Sequence, residues 1–184
     1  MILKVARIGH PVIRGAAREV PADKIGSPEF QRLLDDMAET MHEYDGVGLA
    51  GPQVHVGLRV AVLEVPASDD RSREAVPLMA IVNPRLTPVG EEKLPGWEGC
   101  LSVPDLRGIV PRHARVRLQA FDREGRTIDL EAQGFFARVL QHECDHLDGR
   151  VYLDRMEGLR SLSFLREFQR FHGEVEDDED GDDA

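Results

Sequence analysis

The stretch QHECDHLDG, from Gln141 to Gly149, constrains this chain more than any other. On a helix turning 100° per residue, with His142 at zero, His146 lies only about 40° away and Glu143 about 100° away. Phe135 and Val139 fall within roughly 60° of His142 on the same projection. The two histidines therefore share the apolar side of a helix expected from about Gly134 to Asp148, with Gly149 as its stop. Two imidazoles one turn apart can reach a single divalent ion at ~2.0–2.1 Å, and a glutamate beside them can reach a water on that ion. Two core histidines satisfied by hydrogen bonds would be the plainer reading. An inward-facing pair with an adjacent glutamate is better explained by a metal. Cys144, at about 200°, points away from the pair.

Two histidines leave a catalytic metal one protein ligand short, because such sites usually have three plus a water. Downstream candidates are Asp154, Glu157, Glu167 and His172; upstream stands Cys100 in WEGCLSVPDLRG. Gly99 frees the backbone beside Cys100 for a close approach. A free cysteine is more often a small buried hydrophobe, and a bridge to Cys144 is disfavoured by the expected orientation of that residue. A further stretch, GVGLAGPQV (46–54), carries glycines that let a backbone hug a ligand, and the Gln53 amide could donate to developing negative charge. Taken alone, it would also serve as an ordinary helix-to-strand turn.

The remaining pattern predicts α+β. In SPEFQRLLDDMAETMHEYDG, Ser27 suits an N-cap, Pro28 the first helical position and Gly46 a stop. Phe30, Leu33, Leu34, Met37, Ala38 and Met41 make one apolar face at helical spacing. β-rich pieces follow at 58–65, 77–84, 116–122 and 127–133, with the polar loop PASDDRSREA between the first two. Leu159, Leu162, Leu165 and Phe168 predict a last helix over 158–171. Helices at both ends with strands between them, rather than regular βαβ alternation, point to α+β.

At 184 residues a single domain is expected, and no apolar run approaches a membrane span. The start, MILKVARIGHP, lacks the features of a secretory signal, and two cysteines make no disulfide framework. A reducing, cytoplasmic setting is expected. The formal net charge is −11, with eight acidic residues and no basic ones between Glu174 and Asp183. Residues 174–184 are therefore expected to be an acidic, disordered tail to a domain of residues 1–173. The charge balance argues against tight nonspecific binding to nucleic acid.

GVGLAGPQ, EGCLS and QHECDH, in this order, resemble the three signature motifs of the peptide deformylase family. The likeness spans nearly all of the chain up to the last helix, whose pattern resembles the family's type 1 branch. The resemblance implies a small α+β domain with mixed or antiparallel β-sheets around the metal helix and a helical C-terminus. It implies one divalent metal held by Cys100, His142 and His146, with Fe²⁺ as the usual ion and Zn²⁺ or Ni²⁺ able to replace it. Glu143 is implied as general acid and base, with Gln53 and the Leu101 N–H as oxyanion stabilisers. Val47, Phe135 and Val139 would line a methionine slot, while Gly48 and Gly99 would pair with the peptide backbone. The implied reaction is hydrolytic removal of the formyl group from N-formylmethionyl peptides and nascent chains, with transient ribosome association. Gly51 stands where the family commonly has a second alanine, a change expected to loosen the turn that carries Gln53. Trp97 and Arg107 flank the second motif with their roles undecided. A zincin-type peptidase, with its third ligand downstream, and a module with a closed structural metal are the rival readings.

Overall fold

The computed structural model describes residues 1–67 and 74–173. After a 3-10 turn at Pro11–Arg14, the chain forms a short helix α1 (Ala22–Ile25) and the long α2 (Pro28–Glu43). Strands β1 (Gly48–Ala50), β2 (Val60–Val65), β3 (Val76–Pro88), β4 (Lys93–Cys100), β5 (Val103–His113), β6 (Arg115–Phe121) and β7 (Thr127–Gln133) come next. Helix α3 (Gly134–Leu147), a two-residue strand β8 (Ser163–Phe164) and α4 (Leu165–Phe171) complete it. Among the described residues every ladder is antiparallel, in a five-stranded sheet ordered β1-β2-β3-β6-β7 and a three-stranded sheet ordered β4-β5-β8.

The two periods of the strands explain what lies on each face of the large sheet. In β2, Val60 and Val62 belong to the core packed by Phe30, Leu34, Met37 and Met41 of α2. Ala61 and Leu63 belong to the core packed by Ala137, Val139, Leu140 and Leu147 of α3. Because successive side chains point to opposite faces, an all-apolar strand is what a sheet covered on both sides requires. In β6 only Val116, Leu118 and Ala120 are buried, and the alternate residues face solvent. A third core, with Ile13, Cys100, Val103, Val110 and Tyr152, lies under the β4–β5 hairpin.

Several expectations are corrected at the boundaries. Helix α2 starts as expected, with the Ser27 hydroxyl accepting the Phe30 N–H, but it ends at Glu43. Asp45 takes the left-handed conformation (φ 52°), and the Gly46 N–H then donates to the Met41 carbonyl at 2.9 Å. Gly46 therefore closes the cap one residue beyond the left-handed position. The last helix is shorter than its leucine spacing suggests. Gly158 sits at φ 140°, and Ser163 and Phe164 pair with Arg107 and Leu106 along the free edge of β5, so only Leu165–Phe171 is helical. Strands β1, β4, β5 and β8 were not foreseen. Residues 68–73 of the polar loop and the acidic segment 174–184 lie outside the described residues.

Candidate active site

Helix α3 carries His142, Glu143 and His146 toward the β4–β5 hairpin. Its end is sharp because Gly149 adopts φ 73°, and the Arg150 N–H closes back on the Asp145 carbonyl at 2.8 Å. On the hairpin, Glu98 and Cys100 stand two residues apart and both line the cleft. The ladder register shifts between them, and Leu101–Ser102 turns the chain into Val103. A register break beside a site re-aims the side chain next to it, and here it brings the Cys100 sulfur to 3.2 Å from His146 Nε2. The ligand atoms of Cys100, His142 and His146 all lie within 4.8 Å of one another. Among the described residues this is the sole Cys/His/Asp/Glu group arranged to hold an ion. Asp154 accepts from Arg14 and from the Val151 N–H, while His172 packs against Trp97. The downstream ligands of the peptidase reading do not join the group. Cys144 is a separate free thiol, pushed up to about 12 by burial.

Donor chemistry fits a borderline divalent cation: one thiol and two imidazoles. Burial opposes a thiolate, yet His146 and His142 hold the Cys100 thiol well below its ordinary range. Burial also opposes charge on His142, but its hydrogen bonds to Cys100 and Glu98 hold the imidazole well above its ordinary range. A cation bound by these groups would take the same thiolate with neutral rings. The His142 tautomer is set from behind. Glu98 Oε2 lies 2.9 Å from His142 Nδ1, and its carboxyl is held far below the usual range: burial opposes this, and hydrogen bonds from His142 and Arg112 prevail. An ionised carboxylate only accepts, so Nδ1 carries the proton and Nε2 is left for the ion. Arg112 grips Glu98 through Nε and Nη2, both at 2.9 Å, and reaches Asp145 at 2.5 Å. Asp145 in turn is held by Arg155.

Glu143 is 3% exposed, and its Oε2 is buried without a hydrogen-bond partner. Burial pushes its carboxyl up, with His142 and His146 pulling the other way. Gly48 faces it: a Cβ there would lie 2.6 Å from Glu143 Cδ. Gly48→Ala should therefore displace the carboxylate by a sizeable fraction of an ångström and cut kcat about 10–100-fold, given the sensitivity of catalysis to misplacement. Metal content should hold, and formate-release kinetics beside elemental analysis would check both.

Gln53 is 2% exposed. Its Oε1 accepts the Ala50 N–H at 2.8 Å, which turns Nε2 toward Ser102 Oγ at 3.3 Å and Cys100 Sγ at 3.5 Å. The turn that carries it is not loosened by Gly51. A Cβ on Gly51 would meet the Leu58 carbonyl at 2.7 Å and the Val56 carbonyl at 2.9 Å, so the chain passes too closely for alanine.

One cleft of about 1510 Å³ joins these parts. Val47, Gly48, Gln53, Gly99, Cys100, Leu101, Phe135, Val139, His142 and Glu143 all line it, and His146 sits behind, 1% exposed. Phe135 and Val139 also pack into the α3 core, so each serves both wall and core. Trp97 lies edge-on to Phe168 at 4.9 Å and beside His172 at 5.1 Å, which seats α4 on the rim. The Arg107 guanidinium lies across Gly99, where a Cβ would come 2.7 Å from its Nε. Sequence reasoning missed Glu98, Arg112 and Asp145. Glu98 stands two residues before Cys100, and that nearness is the signal that could have found it. Arg112 offers no comparable signal.

The family description "Polypeptide deformylase" matches residues 2–161. The peptide deformylase 1 of Nitrosomonas europaea is 45% identical over 165 residues, covering 89% of this chain and 93% of the relative. The peptide deformylase 1 of Streptomyces coelicolor is 48% identical over 168 residues, covering 88% of this chain and 76% of the relative. Among solved structures, the class I type b peptide deformylase from Acinetobacter baumannii bound to Met-Ala-Ser has a TM-score of 0.80 at 36% identity, over 85% of this chain and 99% of that one. The peptide deformylase from Thermotoga maritima has a TM-score of 0.77 at 32% identity, over 86% and 99% of the two chains.

Proposed function

Because the chain belongs to the polypeptide deformylase family, a family of hydrolases, we propose that it removes the formyl group from N-formylmethionyl peptides and nascent chains with a divalent metal. The observation that carries the detail is the convergence of three distant segments: Gln53, Cys100–Leu101 and the His142–Glu143–His146 helix border one cleft or stand directly behind it. Cys100, His142 and His146 would hold the ion. When bound, it supplies a Lewis acid and lowers the pKa of water.

The residues do the rest. Glu143 takes a proton from the water that attacks the formyl carbon, and returns it to the leaving amine. As the carbon becomes tetrahedral, its oxyanion is met by the Gln53 Nε2–H, already turned toward the cysteine, and by the Leu101 N–H. Loss of one such donor typically costs about 10²–10³ in rate. Val47, Phe135 and Val139 receive the methionine side chain. Gly48 and Gly99, both lining the cleft, leave backbone open for an extended peptide to pair as an added strand. Fe²⁺ is the resident ion in this reading, with Zn²⁺ or Ni²⁺ as replacements that suit the same donors. Two free thiols agree with a cytoplasmic setting, and no helix among the described residues is long and apolar enough to cross a membrane.

The test is formate release from formyl-Met-Ala-Ser by anaerobically purified protein. Activity abolished by chelator and restored by Fe²⁺ or Ni²⁺ is expected; chelator-resistant turnover, or none in metal-loaded protein, would overturn the reading. In elemental analysis, Cys100→Ala should fall below stoichiometric metal while Cys144→Ala keeps it. Full metal in Cys100→Ala would remove the thiolate from the ligand set.

A further inference from the structure

Arg138 stands one helical turn before His142 on α3 and lines the same cleft. Its head is spent on fixed acceptors. Nη1 donates to the Val110 carbonyl and to Glu98 Oε1, both at 2.8 Å, and Nη2 to the Leu94 carbonyl at 2.7 Å. The side chain is 13% exposed. Gly96 makes room for it: a Cβ there would lie 2.7 Å from Nη2 and 2.8 Å from the guanidinium carbon. The strand thus omits a side chain at the spot where this guanidinium rests.

The consequence falls on Glu98. An ionised carboxylate has about four lone-pair sites, and Glu98 fills them with four N–H donors. Arg112 Nε and Arg138 Nη1 meet Oε1, while Arg112 Nη2 and His142 Nδ1 meet Oε2. Arg138 on one oxygen balances His142 on the other. Without Arg138, Oε1 keeps one donor and Oε2 two, so the buried carboxylate gains by rotating or by admitting water from the cleft. Either change loosens its bond to His142.

We propose that Arg138, seated on Gly96, is a positioning residue for the metal centre. It locks the Glu98 carboxylate, and Glu98 fixes the His142 ring with Nε2 turned to Cys100 and His146. The inference rests on the metal-binding part of the proposed function and adds a residue outside the ligand set. It differs from a plain staple between α3 and the hairpin, because a staple would change stability and leave the ion's surroundings alone.

Three variants separate the two. Arg138→Met keeps the aliphatic stem and removes every donor. Arg138→Lys keeps a cation able to reach Glu98. Gly96→Ala pushes the guanidinium off its seat with its charge intact. Each protein is loaded with Co²⁺, and affinity is read by competition with a chelator beside the thiolate-to-cobalt and ligand-field absorption. Partners of metal-bound histidines commonly carry 10–100-fold in affinity. Arg138→Met and Gly96→Ala should each weaken Co²⁺ binding roughly tenfold and shift the ligand-field bands, and Arg138→Lys should recover most of both. Should Arg138→Met fail to fold, Gly96→Ala and Arg138→Lys carry the same comparison. Wild-type affinity and spectrum in Gly96→Ala and Arg138→Met would overturn the proposal, even if their thermal stability falls. A wild-type chain that binds no stoichiometric Co²⁺ would instead sink the metal-centre reading beneath it.

Discussion

Glu143→Gln should bind metal and formylated peptide almost as the wild type does, yet lose about 10²–10⁴ in kcat. The amide keeps the size and shape of the carboxylate, so the packing against Gly48 is preserved. It cannot take a proton from water and return it to an amine. Glu143 suits that task because it lies at the cleft, is 3% exposed and has one carboxylate oxygen with no protein partner. A carboxylate tied up in ion pairs, as Glu98 is by Arg112, Arg138 and His142, could not serve. Because the ground-state contacts survive, KM should move far less than kcat. Formate-release kinetics with metal analysis on the same preparation would decide it, and wild-type turnover would exclude Glu143 as the proton carrier.

Residues became legible in the sequence to the extent that their partners were local. His142, Glu143 and His146 needed only the helical period, and the projection put Phe135 and Val139 on their face of the helix, which borders the cleft. Strands β2, β6 and β7 were legible from β-branched and alternating residues. The β4–β5 hairpin was not, because Pro95, Pro104, Pro111, Gly96, Gly99 and Gly108 are residues that strand patterns usually avoid. In the fold they have uses: Pro95 pairs opposite Pro111, and Gly96 and Gly99 seat the guanidiniums of Arg138 and Arg107. Cys100, 46 residues before His146, could not be joined to the histidines by spacing. The resemblance joined them, and the hairpin turn explains how. The last helix misled for the opposite reason. Its leucine spacing is real, but the edge of β5 takes Ser163 and Phe164 as a strand. Charge networks were the least legible, because Glu98, Arg112 and Asp145 come from β4, β5 and α3 and meet only in the folded chain.

That network sets the second large effect. Arg112→Met should cost about 3–5 kcal/mol of stability at pH 7, the usual penalty for leaving buried charges without their partner. Arg112 is 5% exposed in its side chain, and it bridges Glu98 at 4% and Asp145 at 6%. Methionine preserves most of the stem, so the loss falls on charge compensation rather than volume. The dependence on pH follows from the carboxylates. Burial pushes the Asp145 carboxyl up, but hydrogen bonds from Arg155 and the charge of Arg112 hold it below the usual range. A group depressed in the folded state stabilises the fold above its unfolded pKa, about 3.9 for Asp, and loses that contribution as pH falls through its folded value. Without Arg112 the folded values of Asp145 and Glu98 rise, so these groups protonate earlier in the variant and shed their unpaired charge. The gap between wild type and variant should therefore be widest at neutral pH and narrow toward pH of about 4. Urea unfolding of both proteins at neutral and mildly acid pH, with equal chelator so that metal release does not contribute, reads the difference. A gap of the same size at both pH values would show that Arg112 acts through packing and not by neutralising Glu98 and Asp145.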